Sequence, residues 1–259
     1  MKLRSIQTSL TVVLLAVLMV GCKSALNSSS TAANTNDASK NTNSTSNPPT
    51  DTRTSTSTSS STPEPPKDIS GKYNVAGSNP DGGGYKGTLE IISHGDVYQF
   101  RWNAGVQYDG VGVTNGNVVA VAFANGANGK GCGVVDYEIG GDGTLEGKWG
   151  YWGVDDAGSE KATRNGGSGL TGEYDAVGKN PDGKEYKAKL TVEPAGNLYR
   201  FVWSNDADGV GIKQGTNVAV GIGGKRCGFV AYQIKSDGLD GIWGGYGTDK
   251  TGTEKATKQ

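Results

Sequence analysis

One stretch of this chain occurs twice. Residues 71–102 read GKYNVAGSNPDGGGYKGTLEIISHGDVYQFRW, and residues 172–203 read GEYDAVGKNPDGKEYKAKLTVEPAGNLYRFVW. Tyr73, Asn79-Pro80-Asp81-Gly82, Tyr85, Leu89, Tyr98, Phe100 and Trp102 return at unchanged spacing. Their counterparts are Tyr174, Asn180-Pro181-Asp182-Gly183, Tyr186, Leu190, Tyr199, Phe201 and Trp203. A fold that accommodates one copy must accommodate the other, so the repeat limits the architecture before any residue is read singly.

Within each copy the apolar period is two. Tyr98, Phe100 and Trp102 alternate with Gln99 and Arg101, and Leu190 and Val192 alternate with Lys189, Thr191 and Glu193. That is the period of a strand with one buried face. The spacing predicts eight strands in the first block, near residues 71–77, 85–92, 97–103, 108–114, 117–124, 132–139, 145–151 and 159–164. Val119, Val121, Phe123, Val135, Tyr137 and Ile139 join the expected core, with Val218, Val220, Ile222, Val230, Tyr232 and Ile234 in the second block. Asn-Pro-Asp-Gly, His94-Gly95-Asp96, Asn115-Gly116-Asn117 and Gly141-Asp142-Gly143 supply turns between them.

No helical pattern long enough for a parallel crossover intervenes, so the connections are read as antiparallel hairpins. Closing such a meander removes its exposed edges. The expected fold is therefore all-β: two tandem small antiparallel meander barrels of about eight short strands each. One barrel is assigned to residues 68–164 and one to 170–259, with 165–169 (NGGSG) as a flexible joint. An open sandwich is the competing architecture. Gly110 and Gly112, matched by Gly209 and Gly211, are expected to make room for the indoles of Trp102 and Trp203. The opening Gly-x-Tyr and the late Gly-x-Trp (Gly147 and Trp149, Gly241 and Trp243) resemble those of lipocalin- and avidin-like barrels.

Ahead of the repeats, Lys2 and Arg4 precede an apolar run, Leu10 to Val20, that ends at Met19-Val20-Gly21-Cys22. This resembles the lipobox of bacterial lipoproteins, although the family usually carries leucine where Met19 stands. The resemblance implies that residues 1–21 are a signal peptide and that Cys22 receives diacylglycerol and an amide-linked acyl chain such as palmitate. At roughly 0.8 kcal/mol per buried methylene, that is a lasting membrane anchor. Lys23 in place of the aspartate that retains lipoproteins at an inner membrane implies an outer-membrane address in the cell envelope. Residues 22–67 are rich in Ser, Thr and Asn; all five tryptophans, 11 tyrosines and four phenylalanines lie beyond them. Such a segment is expected to be a disordered tether spanning roughly 35 to 40 Å.

Loss of residues 1–21 removes two of the 25 basic residues and no acid, taking the net charge from −1 to −3. Without a clustered basic face, nucleic acid is excluded as a partner. His94 is the only histidine, so nucleophilic triads and histidine metal sites lack their parts, and no metal or cofactor is expected. Acids recur at Asp81, Asp109, Asp142 and Glu160, matched by Asp182, Asp208, Asp237 and Glu254, most of them beside turn glycines. Cys132 and Cys227 stand at equivalent positions. An oxidising compartment permits a disulfide between them, but two separate small residues near strand ends is the favoured reading.

The expected function is a non-catalytic binding or interaction module, anchored to the membrane and displaying two β domains to a protein or polymeric partner of the envelope or outside it. The blocks resemble repeat domains of secreted bacterial proteins, some labelled fibronectin-binding. A small hydrophobic ligand carrier using the barrel interiors is the alternative, and a carboxylate-based enzyme the third. Trp102, Tyr108, Trp149, Tyr151, Trp152, Trp203 and Trp243 are the candidate contact residues. A recess of several hundred Å³ favours a carrier; a filled interior favours an interaction module.

Overall fold

A computed structural model describes residues 68–126 and 129–259. The expected signal peptide, lipidation site and tether at residues 1–67 lie outside the described residues. Sixteen strands are present: β1 (Gly71–Ser78), β2 (Gly84–His94), β3 (Val97–Asn103), β4 (Gln107–Asn115), β5 (Val118–Asn125), β6 (Gly133–Ile139), β7 (Leu145–Tyr151), β8 (Gly158–Ser168), β9 (Thr171–Lys179), β10 (Glu185–Ala195), β11 (Leu198–Trp203), β12 (Asp208–Gln214), β13 (Asn217–Ile222), β14 (Gly228–Ile234), β15 (Gly238–Gly244) and β16 (Gly252–Lys258). Among the described residues a single 3-10 turn, Gly224–Arg226, accompanies these strands and precedes β14. The eight strands expected in the first block all form, and only β8 runs well past its expected end. Both Asn-Pro-Asp-Gly segments turn as read: Gly82 and Gly183 take φ of 93° and 84°, and each donates its N–H to the carbonyl of the asparagine.

These strands close into two antiparallel barrels, as expected, but the barrels are not the two sequence blocks. One runs β1-β16-β15-β14-β5-β4-β3-β2; the other holds β6 to β13 in unbroken succession. The second barrel is thus inserted between β5 and β14 of the first, and each barrel combines five strands from the start of one block with three from the end of the other. Equivalent pairings make this exchange possible. Glu254 sits opposite Gly77 in the first barrel as Glu160 sits opposite Gly178 in the second. Val121 faces Val230 as Val220 faces Val135.

The segment 165–169 is accordingly a piece of structure rather than a joint. Residues 165–168 continue β8, which is bulged between Arg164 and Gly166 and pairs with β9 through a tight hairpin. Gly167 has φ of 95°, and a Cβ there would lie 2.3 Å from the Thr171 carbonyl, so the hairpin tolerates only glycine at that position.

Each barrel is filled from its own alternating face. Tyr73, Leu89, Ile91, Phe100, Val119 and Tyr232 pack in the first; Leu145, Tyr174, Leu190, Phe201 and Val218 pack in the second. The opposite faces of β4, β5, β6, β13 and β14 are also buried, because the barrels pack against one another there. Val97, Val111, Val113, Ala120, Ala122, Val134, Ala219 and Ala231 form this seam. Small side chains let the sheets approach. A Cβ on Gly150 would come within 2.9 Å of Val97, and its counterpart Gly244 rests against Phe229 and Leu198. Cys132 and Cys227 lie in this seam, where the chain crosses between barrels in each direction, and they form a disulfide with Cα atoms 5.8 Å apart. The bond closes a loop of 95 residues, which on loop-entropy grounds stabilises the fold by about 4.7 kcal/mol. The pairing that the sequence allowed but did not favour follows from the approximate twofold relation of the two crossings.

One polar residue interrupts the seam. Asp136 points out of the second barrel between Val135 and Tyr137 and is wholly buried; its counterpart is Ala231. Neither of its carboxylate oxygens closes a hydrogen bond, although the Asn217 amide lies alongside. Burial raises its pKa to about 7, against a lowering by Asn217, and the charge of Glu138 adds to the rise.

Two outcomes follow. In Lys161→Cys/Val177→Cys the new thiols sit directly opposite each other on β8 and β9 and should cross-link spontaneously, whereas Lys161→Cys/Ala76→Cys should not; peptide mapping that found the reverse would mean that each block closes on itself. Between pH 4 and 7 the native state keeps on Asp136 a proton that the unfolded state releases, so stability falls as pH rises through this window and is level above it. Asp136→Asn should abolish that component of the slope and raise stability at pH 8 by about 1 to 3 kcal/mol in denaturant titrations.

Candidate functional site

Alternation along β8 and β16 places Glu160 with Ala162, and Glu254 with Ala256, on the inward face. Each glutamate is 6% exposed. Its neighbours on both sides across the sheet are glycines: Gly147 and Gly178 for Glu160, Gly241 and Gly77 for Glu254. Beyond each glycine stands a tyrosine. The rows read Tyr137-Gly147-Glu160-Gly178-Tyr186 in the second barrel and Tyr232-Gly241-Glu254-Gly77-Tyr85 in the first.

The glycines are there for the rings. A Cβ on Gly178 would lie 2.2 Å from the Tyr186 ring, and one on Gly147 would lie 2.5 Å from Tyr137. Both phenols therefore lie along the barrel wall and bring their hydroxyls to the carboxylate. Tyr137 donates to Glu160 Oε1 in a short bond and Tyr186 donates to Oε2 at 2.8 Å. The indole N–H of Trp203 donates to Oε1 at 3.1 Å. In the first barrel Tyr232 donates to Glu254 Oε1, Trp102 to the same oxygen at 3.0 Å and Tyr85 to Oε2 at 2.9 Å. Burial, with the glutamate charge next in effect, holds all four tyrosine hydroxyls well above their ordinary pKa, so they stay protonated donors.

Above each carboxylate the barrel opens. The recess of the second barrel has a volume of about 240 Å³ and is lined by Trp149, Tyr151, Asn180, Asn205 and Ala207 over Glu160, Tyr186 and Trp203. That of the first has about 250 Å³, with Asn79, Val106, Tyr108, Phe123 and Trp243 over Glu254, Tyr85 and Trp102. Trp149 lies across Gly158 and Trp243 across Gly252, each ring within 2.5 Å of where a Cβ would sit. Trp149 and Tyr186 are inclined at 69°, as are Trp243 and Tyr85. The indole N–H groups of Trp149 and Trp243 are buried without a closed hydrogen bond. The far ends are sealed instead: Tyr73 donates to the Ile69 carbonyl at 2.6 Å and Tyr174 to that of Leu170 at 2.8 Å.

Of the residues singled out in the sequence, Trp102, Tyr108, Trp149, Tyr151, Trp203 and Trp243 meet at the two mouths. Trp152 does not. It is packed into the seam between the barrels against Gly129, and so is no exposed contact residue. His94 is the exposed last residue of β2, before the Gly95-Asp96 turn, 3.7 Å from Asp155. Asp109 is buried on the outer face and held by Gln99 at 3.2 Å. Gly110 does lie under Trp102 and Gly112 under Phe100. A Cβ on Gly209 or Gly211 would first meet the carbonyl of Gly221 or Ala219, as one on Gly110 would first meet that of Ala122, so at these three positions the close approach of the neighbouring strand, before any indole, bars a side chain. The glutamates and their tyrosines were visible as repeated residues, but only the row across five strands brings them together.

Gly178→Ala should push the Tyr186 ring off the wall and cost about 1 to 3 kcal/mol in denaturant unfolding. Wild-type stability in that variant would mean that the ring does not lie where the geometry puts it. Comparison of the chain with protein-family models, with curated proteins and with solved structures gives no match.

Proposed function

We propose that this protein is a non-catalytic binding module with two equivalent sites, the barrel mouths, each of which receives a small group of a partner. The observation that carries this reading is the duplication of one recess, with the same carboxylate, its two tyrosines, two tryptophans and a rim asparagine, Asn79 or Asn180, in both barrels. Residues kept only for packing have no need to leave a matched opening of about 240 to 250 Å³ in both barrels. Below the recess the interiors are filled, which weighs against a carrier that encloses a long hydrophobic ligand. A catalytic reading has little support, since each recess is lined by one carboxylate and by neither histidine nor cysteine. Two sites on one chain raise avidity for a repetitive partner. In this proposal Cys22 carries the lipid anchor, residues 23–67 hold the barrels away from the membrane surface, and the protein works in the cell envelope, most simply at an outer membrane.

A fragment screen read on the indole N–H resonances tests the site. Binding groups should shift Trp102 and Trp243, or Trp149 and Trp203, and leave Trp152 in place. Val106→Trp and Asn205→Trp, which plug the rims of the first and second mouths, should each abolish the shifts of their own mouth. Hits indifferent to both plugs would place binding elsewhere.

A further inference from the structure

We infer that the group taken by each mouth is an organic cation, a quaternary or fully methylated ammonium, an inference that rests on the mouths being binding sites. The charge at the base of the recess has no counter-ion. None of the ion pairs among the described residues involves Glu160 or Glu254. All three hydrogen bonds to each carboxylate come from neutral groups, two phenols and an indole. An anionic ligand such as a fatty acid would set its charge against that carboxylate in a recess lined by no lysine or arginine.

The walls have the complementary property. Because Trp149, Tyr186, Trp243 and Tyr85 lie across glycines, one face of each ring is against the barrel wall and the other looks into the recess. Ring faces carry the negative end of the quadrupole and attract a cation within about 6 Å of the centroid, most strongly where water is excluded. The two rings meet edge to face at 69° in each barrel, with centroids 6.3 Å apart in the second and 6.4 Å in the first, so the same aromatic pair stands beside both recesses. Hydrogen-bonding capacity narrows the class further. A primary ammonium brings three N–H donors and a guanidinium five. Beyond a carboxylate already engaged three times, the side-chain acceptors of the lining stand at the rim, Asn79 and Tyr108 in one mouth and Asn180, Asn205 and Tyr151 in the other, so donors turned toward the ring walls would be stranded. A methylated ammonium has no such requirement: its methyl groups rest on the rings while its charge is balanced by the glutamate. The shared base and partly different rims suit one head group on differing bodies: an equivalent asparagine, Asn79 or Asn180, is common to both mouths, while Asn205 and Ala207 at one stand against Val106, Tyr108 and Phe123 at the other.

The full chain titrated with choline, and separately with its neutral isostere 3,3-dimethylbutan-1-ol, gives the test. Choline should shift the indoles of Trp102, Trp149, Trp203 and Trp243 saturably and bind about tenfold more tightly than the isostere. Glu160→Gln should remove that preference at the second mouth alone and Glu254→Gln at the first alone, the untouched mouth reporting that the chain is folded. Equal affinity for choline and the isostere on the wild-type chain overturns the cation class, whatever the variants do. If hexanoate or methyl glucoside moves the four indoles and choline does not, the mouths remain binding sites and the cation class falls. If none of these probes moves them, both readings fall. Retention on phosphatidylcholine but not phosphatidylglycerol vesicles identifies a lipid headgroup as the source of the cation; choline binding without retention identifies a soluble one.

Discussion

The structure depends on a buried carboxylate held across five strands by two tyrosines that reach it over glycines. An unpartnered charge in a barrel interior would cost several kcal/mol. Three neutral donors aimed at each glutamate offset that cost without neutralising it. Their geometry requires inward glycines on either side, since any side chain would lift the phenol from the wall. The same requirement fixes register. A slip of one residue would turn Glu160 or Glu254 outward and leave the tyrosines without a partner.

Because the row spans the border between strands of different blocks, β8 and β9 in one barrel and β16 and β1 in the other, it also joins the two halves of the sequence. Tyr137, Gly147 and Glu160 come from the first block, Gly178, Tyr186 and Trp203 from the second. Exchange of strands therefore ties the domains together without altering either site. The seam of valines and alanines and the Cys132–Cys227 bond hold the crossing segments where the exchange occurs. Asp136, placed where the other barrel has Ala231, gives the seam a titratable weak point on one side only.

Much of this was legible. Period-two alternation at Tyr98-Phe100-Trp102 and the turn chemistry of Asn-Pro-Asp-Gly located the strands closely, because both signals are local. The inward position of Glu160 could be read from its alternation with Lys161 and Ala162, yet its partners lie 23 to 43 residues away, beyond the reach of a local pattern. Trp152 was misread for a related reason: an aromatic at a strand end looks the same whether water or a second barrel covers it. Runs such as Val118-Val119-Ala120-Val121-Ala122, apolar on both faces, were the available sign of that second barrel.

The sequence by itself determined the strands, their turns and the inward aromatic faces, because these follow from spacing within a single hairpin or a single alternating run. Only the tertiary structure decided which half closes with which. The repeat makes the two closures locally equivalent: Gly77 and Gly178 face Glu254 and Glu160 as the barrels are built, and would face Glu160 and Glu254 if each block closed on itself, so no short-range signal separates them. The choice falls to what differs between the blocks: the glycine-rich hairpin at 165–169 that turns β8 directly onto β9, and the paired crossings that Cys132 and Cys227 hold together. Those are relations between distant segments, and they exist only once both barrels are built.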